Sequence, residues 1–237
     1  MQGASKIFIT ACFAILITAC GGGNNAAAPS SANFDLQAGI AKMVSNGLHA
    51  NVALSGTVNV NGVSSAFTGS GTFTRAPGIS TTFNGATAFS QTTTVAGTIS
   101  AAGQATPYST SVTDYYAGGD SAFLGEVSGS EYDVAEAPFS YPTMVVGGSS
   151  GTLGTLSRYT DSTMSVSRGT AIVSYSVMTP MGSGSSVGVA VTTKIYDTQS
   201  TLIETDVTNY TMTSGNVISL SGASAQNQSG MLTITVQ

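Results

Sequence analysis

Tryptophan is absent from the 237 residues, histidine occurs once, and cysteine occurs only twice, at Cys12 and Cys20. Each shortage removes a class of function. A structural zinc site needs four Cys or His ligands, which His49 alone cannot supply, and a Cys–His nucleophilic pair is excluded on the same count. No disulfide can form beyond residue 20, so stability has to come from packing and sheet hydrogen bonds. Without Trp a sugar-stacking platform is disfavoured. Charge is scarce too, at 7% of residues with a net charge of −5. The cations beyond the first few residues, Lys42, Arg75, Arg158, Arg168 and Lys194, are scattered singly. Counterion release needs clustered cations, so nucleic acid is excluded as a partner, and adsorption to anionic head groups is disfavoured. No Walker, Rossmann or zinc pattern occurs, and neither a cofactor nor a metal is expected.

What the chain does have begins at its amino terminus. One positive charge, Lys6, precedes an apolar run from Ile7 to Ile17 broken chiefly by Thr10. That is the length of a signal-peptide h-region, roughly 7–15 residues, and short of the ~20 residues a membrane-spanning helix needs. At its exit stands Ile17-Thr18-Ala19-Cys20, a branched apolar residue and two small ones before a cysteine. This stretch resembles the lipobox of bacterial lipoproteins. The resemblance implies cleavage before Cys20, a diacylglyceryl group on its thiol, and acylation of the new amino terminus. The membrane is then a partner through the acyl chains, each buried methylene adding ~0.8 kcal/mol. Gly21 follows where, among Gram-negative lipoproteins, an aspartate tends to retain the protein in the inner membrane, so the resemblance implies the outer membrane. The expected organisation is a signal peptide at 1–19, a lipidated cysteine with a flexible Gly/Asn/Ala/Pro/Ser tether at 20–32, and one antiparallel β domain at 33–237.

Residues 33–47 hold the one helical pattern of that domain, with Leu36, Ile40, Met43 and Val44 on one face. Asn33 or Asp35 is placed to cap its start and Gly47 to end it. The spacing predicts a short helix packed on the edge or mouth of a sheet. Next, the even positions of 51–60 are apolar or small and the odd ones mostly polar. Asn61-Gly62 follows, a type I′ hairpin signal, and the return strand predicts the pairs Val60 with Val63, Gly56 with Phe67, Leu54 with Gly69, and Val52 with Gly71.

Short alternating segments continue at 81–83, 87–90, 93–100, 108–116, 121–127 and 131–134. A long irregular stretch at 135–151 is followed by further segments at 153–160, 163–167, 171–178, 187–196, 201–213, 217–221 and 231–236. Strands apolar on one face only predict an all-β protein, an antiparallel β-sandwich or an open or half β-barrel. The segment 112–127 is similar to 191–207, with Tyr116 and Tyr196 in matching places. This suggests two similar halves with a seam at 135–151. In composition and layout the body also resembles the uncharacterised Gly/Ser/Thr-rich lipoproteins of Gram-negative proteobacteria, a likeness that implies no activity.

Candidate chemistry is thin. Two G-x-S-x-G matches, at 147–151 and 184–188, lack the strand–turn–helix setting of a nucleophile elbow. Gly118-Gly119-Asp120 echoes one unit of a calcium-binding repeat and is not repeated. Glu126, Glu131, Asp133 and Glu136 are the densest acidic cluster, which a hydrolase would need to converge. The expectation is therefore a non-enzymatic binding or structural lipoprotein of the cell envelope, with Cys20 as the lipidation site and no catalytic residues. It would act through an envelope protein partner. The alternative is a periplasmic carrier or sensor of an apolar or lipid ligand held between sheet and helix. A hydrolase using the acidic cluster is the lesser alternative.

Overall fold

The computed structural model describes residues 33–60, 62–178 and 185–237. The expected signal peptide at 1–19, Cys20 with the expected tether at 20–32, and Asn61 lie outside the described residues. Helix α1 (Leu36–Asn46) comes first. The strands are β1 (Leu48–Val60), β2 (Val63–Arg75), β3 (Ile79–Phe83), β4 (Ala86–Ala101), β5 (Gln104–Ala117), β6 (Phe123–Ser128) and β7 (Glu131–Phe139). They continue with β8 (Ser150–Tyr159), β9 (Ser167–Val177), β10 (Ser186–Tyr196), β11 (Leu202–Thr213), β12 (Ile218–Asn227) and β13 (Gly230–Val236).

The first hairpin has the register its alternation dictates: Val60 pairs with Val63, Gly56 with Phe67, Leu54 with Gly69 and Val52 with Gly71. Gly62 has φ +79, which a hairpin turn demands and an L side chain resists. The strands are all antiparallel, and the expected all-β class holds. The sandwich and the open barrel do not. One sheet of 12 strands closes on itself as a barrel. Two pairings make the closure. β1 joins β13, from Val52–Val236 to Val58–Gly230, and β2 joins β4, from Phe67–Ala101 to Arg75–Thr93. The extra strand, β3, prolongs the line of β2 past a break at residues 76–78 and pairs with the upper part of β4. Its Phe83 stacks on Tyr115 and Tyr132, on the outer face, since the flanking Asp114 and Tyr116 line the lumen.

Closure also removes the seam. β7 and β8 pair directly across the irregular stretch, Tyr132 with Tyr159 through Ala135 with Leu156. The β5–β6 and β10–β11 hairpins, which look alike in sequence, lie five strands apart in an up-and-down sheet. They therefore point to opposite mouths of the barrel and are not equivalent halves. The segments 87–90 and 93–100 merge into one strand, β4. The expected strand at 163–167 is a turn instead, where the Asp161 carboxylate accepts from the Thr163 N–H at 2.8 Å.

Inward positions are apolar along most of the wall, including Val52, Leu54, Phe73, Val95, Leu156, Val189, Leu232 and Ile234. Many outward positions are Ser or Thr, as at Ser55, Thr92, Thr98, Ser219, Ser221 and Thr235, all exposed, with isolated apolar exceptions such as Ile172 and Met231 in addition to the Phe83 stack. This polarity is the inverse of a membrane-spanning barrel, whose lipid-facing band is apolar. Among the described residues no helix is long and apolar enough to cross a membrane.

A barrel of ~8 strands is just filled by its own side chains, so 12 strands leave excess room. The chain fills it in two ways. α1 closes one mouth, with Leu36, Gly39, Ile40, Met43 and Val44 buried. Asp35 caps it by accepting from the Ala38 N–H at 2.9 Å, and Gly47 ends it at φ +73, donating to the Met43 carbonyl. A Cβ at Gly47 would lie 2.4 Å from the Arg75 carbonyl oxygen, so only glycine fits this corner. The second filler is a set of long polar side chains reaching inward, and these compose the candidate site.

Candidate functional site

The upper group lies directly beneath α1. Arg75, at the end of β2, is 8% exposed and forms a buried ion pair with Asp114 of β5. Its Nε donates to the Gln91 Oε1 at 2.7 Å, and its two terminal nitrogens donate to the Tyr210 hydroxyl at 3.2 Å and the Tyr116 hydroxyl at 2.7 Å. Gln91, fully buried on β4, passes the order on: its Nε2 donates to the Met43 carbonyl at 2.8 Å and the Val44 carbonyl at 3.3 Å. Those are carbonyls of the last helical turn, which also accept from the Gly47 and Gly78 N–H groups. The ion pair and the plug are thus one hydrogen-bonded unit. Burial pushes the Tyr116 and Tyr141 hydroxyls above the usual phenol range, so both remain neutral donors.

Between this group and the mid-lumen lies a cavity of about 120 Å³. Its roof is Ile40 and Met43 of α1, and its wall combines Phe73, Phe123, Phe139 and Leu156 with Arg75, Asp114, Tyr210 and Glu126. Drug-sized ligands occupy pockets of ~300–1,000 Å³. This space suits only a few waters or a very small molecule.

The lower group is acidic. Arg158, 4% exposed on β8, donates from Nη2 to the Glu131 Oε1 at 2.8 Å and from Nε to the Asp133 Oδ2 at 3.3 Å. Arg168, at the rim, stands 3.4 Å from the same Glu131 oxygen. Glu126 of β6 and Glu204 and Asp206 of β11 complete the group, interacting electrostatically with Arg158 and with one another. Burial pushes the Glu126 carboxyl up to about 7, reinforced by Glu131. Burial and the nearby Glu126 raise Asp133 to about 8, against the pull of Arg158. Burial holds Glu204 above its ordinary value, and burial with the adjacent Glu204 holds Asp206 well above its own. Below Glu204, an open groove of about 370 Å³ runs along Leu202–Thr205 and Gln226–Gln228 at the rim away from α1.

Of the acidic cluster read from the sequence, Glu126, Glu131 and Asp133 do come together, while Glu136, of opposite parity on β7, is exposed. His49 is exposed and makes a 3.2 Å hydrogen bond with the Thr74 hydroxyl. The 147–151 motif runs into β8, not a helix, and the described part of 184–188 runs into β10. Asp120 caps a turn, accepting from the Ala122 N–H and the Ser140 hydroxyl. That backbone bond and then the Ser140 bond hold its carboxyl below the usual range. Tyr116, Tyr141 and Tyr210 face the lumen, whereas Tyr115 and Tyr132 belong to the outer stack. Sequence reasoning missed Arg75, Gln91, Asp114, Arg158, Glu204 and Asp206. For Arg75 and Arg158 the signal was parity, since each stands in line with an apolar inward neighbour, Arg75 after Phe73 and Arg158 after Leu156. Glu204 and Asp206 are flanked on their own face by each other and by Leu202 and Thr208, and carried no such signal.

Comparison with protein-family models, with curated proteins and with solved structures finds no match to this chain.

Proposed function

We propose that this is a non-enzymatic lipoprotein of the cell envelope, held in the outer membrane by acyl chains on Cys20 and carrying its barrel as a binding or structural body. The observation that supports the domain's role is the crowding of the lumen under α1, where inward side chains confine the cavity beneath the helix to about 120 Å³. The Ser/Thr outer wall suits a body bathed in water beside the membrane and not within it. Partners then meet the outer face and the rims. A hydrolase is disfavoured because its carboxyls must line a cleft that admits the substrate, and Arg158 already occupies the middle of this group.

The test is Cys20→Ala. The variant should accumulate as an unprocessed precursor or as a form released without acyl chains. A normally processed, membrane-bound variant would overturn the anchor.

The second reading, a carrier of an apolar or lipid ligand, draws on the position of the cavity immediately under α1. An acyl chain would fit only with the helix displaced. Native mass spectrometry of the gently purified protein decides it: extra mass removed by organic solvent favours the carrier, and a clean apo mass favours the filled body.

A further inference from the structure

The lower lumen carries more negative charge than its own bases balance. Arg158 and Arg168 answer Glu131 and Asp133. Among the described residues no base pairs with Glu126, Glu204 or Asp206. Asp133 Oδ1 is buried without a hydrogen-bond partner, and Glu204 Oε1 and Asp206 Oδ1 find no donor outside the Glu204–Asp206 carboxyl pair, which shares a hydrogen bond. Asp206 and Asp133 are each only 3% exposed. An unsatisfied buried carboxylate costs more than most single interactions contribute, so such a set marks a place where a donor belongs.

We propose that the lower lumen binds a small organic cation bearing a primary ammonium or guanidinium group, admitted at the rim past Glu204. This goes beyond the envelope role proposed above and stands or falls separately from the anchor. Three observations select the ligand. The acceptors are all carboxyl oxygens, which match positive N–H donors. They are spread along the wall: Glu204 pairs with Asn227 at the rim, Asp206 pairs with Ala225 one step deeper, and Glu126 borders the inner cavity. Among the described residues no three of these groups stand close enough to share a metal ion. An ammonium with three donors or a guanidinium with five, carried on a carbon stem, spans acceptors that lie too far apart for one bare ion to coordinate. Arg158 shows that the same wall already seats a guanidinium, between Glu131 and Asp133. A groove of about 370 Å³ at the rim has Glu204 in its lining, where an arriving cation would first meet this group.

Cation and protons compete for this site. The facing ionisable groups are Glu126 on β6, Glu131 and Asp133 on β7, Arg158 on β8, Arg168 on β9, and Glu204 and Asp206 on β11. β10 presents the neutral Thr193 opposite Asp206, and β12 presents Asn227 opposite Glu204. With the carboxyl protons held tightly, a cation binds by displacing them, and binding tightens as pH rises.

The experiment is isothermal titration of the full chain in detergent with 1,4-diaminobutane at pH 6 and pH 8, with calcium chloride in parallel. Saturable binding that is tighter at pH 8, with proton release read from buffers of different ionisation enthalpy, is expected. Glu204→Gln/Asp206→Asn should weaken it at least about tenfold, as should Glu126→Gln on the facing wall. The second variant decides the matter if the first does not fold. No saturable binding by the folded protein, equal binding by the folded variants, or saturation by calcium and not by the amine would each overturn the proposal.

Discussion

Replacing Arg75 by Leu tests whether the ion pair beneath α1 holds the plug in place. The substitution deletes the charge that answers Asp114 and the donors to Gln91, Tyr116 and Tyr210. Arg75 and Asp114 are both nearly inaccessible, at 8% and 7% exposure, so bulk water does not solvate the charge left behind. Removing one member of a buried pair costs about 3–5 kcal/mol. In a domain of this size each kcal/mol moves the melting temperature by about 2–4 °C, so a fall of at least ~6 °C is expected. Far-UV circular dichroism or calorimetry at pH 7 reads it, and the absence of Trp makes either preferable to intrinsic fluorescence. The effect should reach α1 through Gln91, freed from its Arg75 bond while it bridges to the Met43 and Val44 carbonyls. Amide exchange in 36–46 should therefore accelerate beyond the change in global stability. The double variant Arg75→Met/Asp114→Leu, which removes both charges, should recover most of the loss, because a buried pair contributes little net stability over an apolar filling of similar volume. A single variant melting within ~2 °C of the parent, or a double variant no better than the single, would refute the reasoning.

Three further outcomes follow from the lumen and the wall. Glu126, Asp133 and Asp206 hold protons more tightly folded than unfolded. Their contribution is therefore complete below pH ~4 and lost as pH rises towards 8, by on the order of a few kcal/mol; urea midpoints at pH 5 and pH 8 should show the decline. Glu126→Gln should flatten that slope, and a stability that climbs from pH 5 to pH 8 would contradict the burial of these carboxyls. Gly97→Val should cost about 2 kcal/mol or more, since a Cβ there meets the Ser70 carbonyl oxygen at 2.2 Å and the Gly71 Cα at 2.6 Å. Melting curves unchanged by that substitution would show that β2 and β4 do not lie so close where the barrel closes.

Local pattern carried the sequence a long way. Alternation and the Asn61-Gly62 turn placed the first hairpin in its register because a two-residue loop leaves only one pairing that keeps Leu54 and Phe67 on one face. The helix, its Asp35 cap, its Gly47 end and its buried stripe were legible for the same reason, being set by residues within a few positions of each other. Glu126, Glu131 and Asp133 were visible as a group, though as a surface cluster.

Closure and burial were not legible. Whether β1 meets β13 and β2 meets β4, or two sheets pack face to face, depends on accumulated twist and stagger over 12 strands, and no short window of sequence contains that sum. The same alternation serves a sandwich, an open barrel and a closed one. Only closure sets Arg75 against Asp114, 39 positions away, and gathers Glu126 and Asp133 with Glu204 and Asp206 in one lumen. An inward charge in the sequence is only a break in an apolar face. The tertiary structure decides its meaning, because the ring brings it a partner or leaves its oxygen without one, and the low dielectric of the interior makes the difference large.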